Sequence, residues 1–167
     1  MKYILPALFL LSLLSCKQSS NNTTPDALGK EVFFLFKSGK KEAIIQHLIT
    51  REEIKKVFGA NERYQKLNET EKNDLINSIY EKTNKQFLSF IDYYTNPSSE
   101  ATIALQKGDF VSVSSQLKKE NGPPVNQVVV QFSSGGQSYD LKLDASPVDE
   151  YWKLLSWVEV VKHTDSH

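Results

Sequence analysis

The chain has 167 residues, 20 basic and 20 acidic side chains, three histidines and one cysteine. Balanced charge without a basic stripe argues against nucleic acid as a partner, and one cysteine excludes an internal disulfide. Once the amino-terminal segment and the polar stretch after it are set aside, about 140 residues are left, one domain's worth.

Met1-Lys2 places one positive charge at the amino terminus, and Tyr3 to Leu14 then runs apolar and uncharged. That is the layout of a secretory signal peptide over residues 1–15. The run is shorter than the ~20 apolar residues that a membrane-spanning helix needs. It ends at Leu13-Leu14-Ser15-Cys16, which resembles the lipobox of bacterial lipoproteins. The resemblance implies cleavage between Ser15 and Cys16 and lipidation of the Cys16 thiol with acyl chains of the palmitate class. It also implies a lipid-anchored place in the cell envelope. Lys17 stands where some lipoproteins carry an inner-membrane retention Asp, so the resemblance points to the outer membrane and leaves its face open. Residues 16–24 are the lipidated Cys and a polar stretch without aliphatic side chains. They read as a flexible tether with a reach of about 15 Å.

Residues 25–162 read as a single α+β domain, followed by a frayed tail at 163–167. Helices are expected first. Thr24-Pro25-Asp26 supplies an N-cap, a first-turn proline and an acid at the positive end of the dipole. Leu28, Val32, Leu35 and Phe36 follow at helical spacing, and Ser38-Gly39 is the stop. A short helix carries Ile44, Ile45, Leu48 and Ile49. Thr50-Arg51-Glu52-Glu53 is a capping box that opens a third helix ending at Gly59. A long fourth helix starts near Asn68 with a stripe at Ile76, Ile79 or Tyr80, Thr83, Phe87, Ile91 and Tyr94; Asn96-Pro97 ends it.

From residue 100 the period changes to two. Ile103 and Leu105 read as a strand that turns at Gly108-Asp109, and Val111, Val113 and Leu117 as the next strand. Asn121-Gly122 is a two-residue turn signal. Val128, Val130 and Phe132 run to a second turn at Gly135-Gly136, and Tyr139, Leu141 and Leu143 alternate with Asp140, Lys142 and Asp144 as a half-exposed strand. The last strand, Tyr151 to Val161, is apolar on both faces and is therefore placed inside the sheet. Within it Trp152, Leu154, Val158 and Val160 share one face, and Leu155, Trp157 and Val161 the other. The Trp152 face is expected against the helices, which leaves Trp157 as the candidate binding surface.

Helices followed by an antiparallel meander of four to five strands, with "QSYDLKLD" at 137–144 and "WKL" at 152–154, resemble the NTF2-like (cystatin-like) domains of small bacterial lipoproteins. That resemblance implies helices on one face of a curved sheet, closing toward a cone that Tyr93, Tyr94, Tyr139, Tyr151, Trp152 and Trp157 could line.

The sequence nominates no catalytic residue, no metal ligand set and no cofactor. His47 reads as a boundary residue, and His163 and His167 lie in the tail. No His-x3-His or Cys-x2-Cys spacing occurs, and no Gly-rich phosphate loop or Gly-x-Ser-x-Gly elbow. Asp144, Asp149 and Glu150 sit at a turn, where solvated acids are ordinary. The expected function is a membrane-anchored, non-enzymatic binding module for an envelope protein, a glycan or a small apolar ligand. One alternative is an isomerase or hydrolase, for which Asp92 and Tyr93 are the nearest approach to an acid–base pair. Another is a structural envelope-assembly factor.

Overall fold

A computed structural model describes residues 22–118 and 123–163. The signal-peptide, cleavage and lipidation residues (Ser15 and Cys16 among them), the Asn121-Gly122 turn and His167 lie outside the described residues.

Among the described residues six helices precede four strands. They are α1 (Pro25–Lys37), α2 (Lys41–Ile45), α3 (Arg51–Gly59), α4 (Glu62–Gln65), α5 (Glu69–Thr95) and α6 (Glu100–Lys107), then β1 (Asp109–Lys118), β2 (Val125–Ser134), β3 (Gln137–Val148) and β4 (Tyr151–Lys162). The helix ends follow the local chemistry. The Thr24 hydroxyl accepts from Ala27 N–H at the start of α1. Both Thr50 with Glu53 and Asn68 with Glu71 form reciprocal capping boxes. At the end of α1, Gly39 takes φ +64°, and the Gly39 and Lys40 amides reach back to Phe36 and Leu35, closing a Schellman turn.

Three elements differ from the sequence reading, the first being α2, which stops at Ile45 and leaves Leu48 and Ile49 extended beside β4. Residues 100–107 form a helix, not a strand. Ser99 caps it through Thr102 N–H, and Thr102 and Leu105, three apart, are both fully buried. In so short a segment the period-two spacing of Ile103 and Leu105 is equally compatible with a helix. Gly108 is thus a helix-to-strand junction. The one-turn helix α4, capped by the Asn61 side chain, was not anticipated.

The strands form an antiparallel meander in the order β1-β2-β3-β4. Gly135 and Gly136, at φ +58° and +78°, make the two-residue turn between β2 and β3. The α+β class and the helices-first order agree with the sequence reading. The NTF2-like (cystatin-like) assignment does not. The sheet is open and neither curves nor closes into a cone. Tyr94 and Tyr139, expected to line that cone, are core residues. Tyr139 stacks on Phe132 with ring centroids 5.2 Å apart, and the Tyr94 hydroxyl accepts from Val160 N–H at 3.0 Å. Tyr93 and Tyr151 are exposed.

Nor do the helices keep to one face. The main core lies on the side of Val128, Val130, Leu141, Leu143, Leu154 and Val158, under α1, α6 and the C-terminal half of α5 (Phe87, Ile91, Tyr94). A second core gathers Ile49, Ile54, Ile76, Val148 and Leu155, with Phe58 and Ile79 beside it. Val148 and Leu155 point opposite to the main-core side chains of their strands, so α3 and the first half of α5 cover the other sheet face at the β3–β4 turn. Lys153 to Glu53 at 3.5 Å and Lys56 to Asp149 tie α3 to that face. Helix α5, about 40 Å long at 1.5 Å per residue, serves both cores.

β4 is accordingly an edge strand, not an interior one. Its two apolar faces reflect burial from both sides, which a sequence pattern cannot tell from a central position. Its outer edge is covered. Trp152 N–H donates to Asn22 O at 2.8 Å, Leu154 N–H to His47 O at 2.9 Å, and Ile49 N–H to Leu154 O at 3.0 Å; the last two bonds make an isolated parallel bridge between Leu48 and Leu154. Between the pairs Leu143–Val158 and Ala145–Leu154, two steps on β3 match four on β4. This bulge is even, so Leu154 and Val158 stay on one face. Away from the second core the outer face is mixed, with rows such as Ser112–Gln131–Asp140–Val161 and Ser114–Val129–Lys142–Glu159.

Candidate functional site

The best-formed concavity lies in the second core, not at a cone mouth. It is a cavity of about 160 Å³ between α3, α5 and the ends of β2, β3 and β4. Helix α3 contributes Ile54, Val57 and Phe58, and α5 contributes Ile79 and Thr83. Ile49 and Leu155 form the β4 side, with Pro123, Val125 and Ser146 across from them. Each is placed by features already described. The Thr50 capping box fixes the start of α3, so Ile54, Val57 and Phe58 fall on one helical face. Leu155 stands at the β4 bulge, where it leaves the main core.

The lining is apolar apart from two hydroxyls, and the Ser146 hydroxyl is already committed to Pro124 O at 3.0 Å. Among the described residues no titratable side chain lines the cavity. Its aliphatic and aromatic walls exclude water, and among the described residues its only polar lining groups are the Thr83 and Ser146 hydroxyls. Sequence reasoning missed it because its walls come from five elements. The one local signal was the double-faced apolar pattern of β4.

Trp157 is 44% exposed, the more open of the two tryptophans, and Trp152 packs partly buried on the main core. Trp157 is not free of the fold: its ring meets the edge of Phe90 on α5 at 5.9 Å. It therefore stands at the bulge beside the C-terminal part of α5, two residues from the cavity-lining Leu155 in sequence.

The titratable residues do not converge on the cavity. His47 is buried, with Nδ1 3.2 Å from the Asn22 amide nitrogen and Nε2 3.4 Å from Glu31 Oε1. Burial pushes its imidazole below the ordinary histidine range, partly opposed by the Glu31 carboxylate and reinforced by Lys153. This cluster pins residue 22, inside the stretch read as tether, onto β4. His163 Nε2 lies 2.9 Å from Asp140 Oδ1, in ion-pair range but poorly aligned for a hydrogen bond. Asp144 pairs with Lys118 at 2.7 Å, Asp149 with Lys56, and Asp92 with Lys41. Asp92 is held by Lys41 and does not line the cavity, whereas its exposed neighbour Tyr93 lines a separate open pocket of about 210 Å³ with Glu100 and Lys162. Among the described residues no three His, Cys, Asp or Glu side chains gather as a metal-binding group.

Comparison with protein-family models, characterised proteins and solved structures gives no match. The NTF2-like resemblance therefore has neither a family match nor the sheet geometry behind it. The lipoprotein resemblance at residues 13–16 falls outside the described residues and likewise has no family match.

Proposed function

We propose that this protein is a non-enzymatic binding module, held at the cell envelope through Cys16, that takes a small apolar ligand between α3 and α5. The observation that carries the reading is the cavity: about 160 Å³, walled by aliphatic and aromatic side chains, with no ionisable group in its lining among the described residues. Apolar cavities of about 150 Å³ stay dry and accept a benzene-sized guest. A guest here displaces no ordered charge, so shape and apolar area set its affinity.

Toluene is a suitable probe. Saturating toluene should raise the Tm of the wild-type chain and shift the emission of Trp157. Val57→Phe, which fills the cavity, should abolish both responses while the protein still folds. An unchanged Tm for the wild type at saturation would refute the reading.

A further inference from the structure

The inward stripe of α5 carries two hydroxyls, and the fold uses one of them. The Tyr94 hydroxyl accepts from Val160 N–H. Thr83, between Ile79 and Phe87 on the same stripe, lines the cavity instead. A threonine inside a helix commonly gives its hydroxyl proton to the carbonyl four residues back. Thr95, at the end of α5, does so with Ile91 O at 2.6 Å. The Thr83 hydroxyl makes no hydrogen bond among the described residues. The side chain is half-buried, and its hydroxyl can both donate and accept. Ser146, the other cavity hydroxyl, is buried and gives its proton to Pro124 O at 3.0 Å, so toward a guest it can only accept.

We infer, resting on the reading of the cavity as a ligand site, that its guest is a small apolar molecule bearing one neutral hydroxyl, of the phenol class, and that Thr83 selects it. A guest O–H is the one group that either wall hydroxyl can pair with, whichever way the guest lies. It can donate to Thr83 or to Ser146, and it can accept from Thr83. An ether or a ketone finds a partner in Thr83 alone. A hydrocarbon covers the Thr83 hydroxyl and leaves it unpaired, which is unfavourable. A carboxylate or an ammonium group is buried without a counter-charge, since among the described residues no titratable side chain lines the cavity.

Phenol and toluene have nearly the same shape and differ as hydroxyl against methyl, so the pair isolates the hydroxyl. Titration calorimetry of the full chain should give phenol a Kd no weaker than that of toluene, and benzoate should not bind. An apolar cavity with no hydrogen-bond partner disfavours phenol by about tenfold or more. Thr83→Val, which keeps the shape, should weaken phenol at least about tenfold and leave toluene within about twofold. Thr83→Ser, which keeps the hydroxyl, should retain phenol binding. Toluene bound by Thr83→Val shows that the variant folds with its cavity intact. Wild-type protein that binds toluene but takes phenol tenfold more weakly would overturn the inference and leave the ligand site standing. So would benzoate bound more tightly than phenol, and so would phenol binding unchanged in Thr83→Val. A wild-type chain that binds neither phenol nor toluene would overturn the ligand site and the inference together.

Discussion

The backbone carbonyl of Asn22 accepts a hydrogen bond from the Trp152 amide at 2.8 Å, and the Asn22 side chain lies against the His47 ring. A residue six positions after Cys16 is therefore part of the β4 edge. Asn22→Ala should cost about 1–2 kcal/mol, because it removes one polar partner from a buried imidazole. Deleting residues through 24 should cost more than deleting through 21, since it also strips the Thr24 cap, worth about 1 kcal/mol. Urea midpoints of the two truncations check this; equal midpoints would place Asn22 outside the folded unit.

His47 makes stability depend on pH. Its pKa in the folded protein is lowered, chiefly by burial, so between that value and about 6.5 the unfolded chain binds more protons than the native one. Its contribution is present above about pH 6.5 and is lost as pH falls through the folded value. Urea midpoints should drop as pH is lowered from about 7.5 toward 5, and His47→Gln should flatten that part of the profile. A wild-type profile no steeper than that of His47→Gln would contradict the assignment.

Gly29 is the point of closest approach between α1 and the sheet. A Cβ there would sit 2.5 Å from Val128 Cγ1 and 3.3 Å from Val130 Cγ2. Alanine gains about 1 kcal/mol of helix propensity over glycine, but overpacking a buried β-branched side chain costs about 1–3 kcal/mol. Gly29→Ala should therefore be destabilising overall, with a lowered Tm. A raised Tm would mean that α1 lifts off the sheet at little cost.

The two tryptophans should separate by stability. Trp152 packs on the main core, so Trp152→Ala should lose toward the lower end of about 3–5 kcal/mol. Trp157 is 44% exposed and holds one ring contact to Phe90, so Trp157→Ala should lose about 1 kcal/mol. Thermal melts of the two variants decide the order, and the reverse order would invert the faces of β4.

What could be read from the sequence follows the range of the interaction. Thr24, Thr50, Asn68 and Gly39 mark helix ends through contacts within a few residues, and each does so in the structure. Gly135-Gly136 fixes a hairpin in the same way. Ile103 and Leu105 were read as a strand because eight residues cannot separate two periods, although Ser99 offered a cap. The side assignment of β4 was legible through Trp152 and Leu154. Its edge position was not, because coverage by α3, α5 and Asn22 comes from residues far away in the chain. The cavity was illegible for the same reason: Val57, Ile79, Ser146 and Leu155 become neighbours only once both helices fold over the outer face.

Helix α5 gives Ile76 to one core and Phe87 and Ile91 to the other. The two halves of the molecule consequently share a single rigid strut, and neither can melt while the other keeps its packing. Heat or denaturant should take the domain apart in one cooperative step with no half-folded species populated. A guest wedged beside Ile79 would then slow the opening of the distant α1 face as much as that of its own pocket, and amide exchange at Val128 and Leu143 would register it.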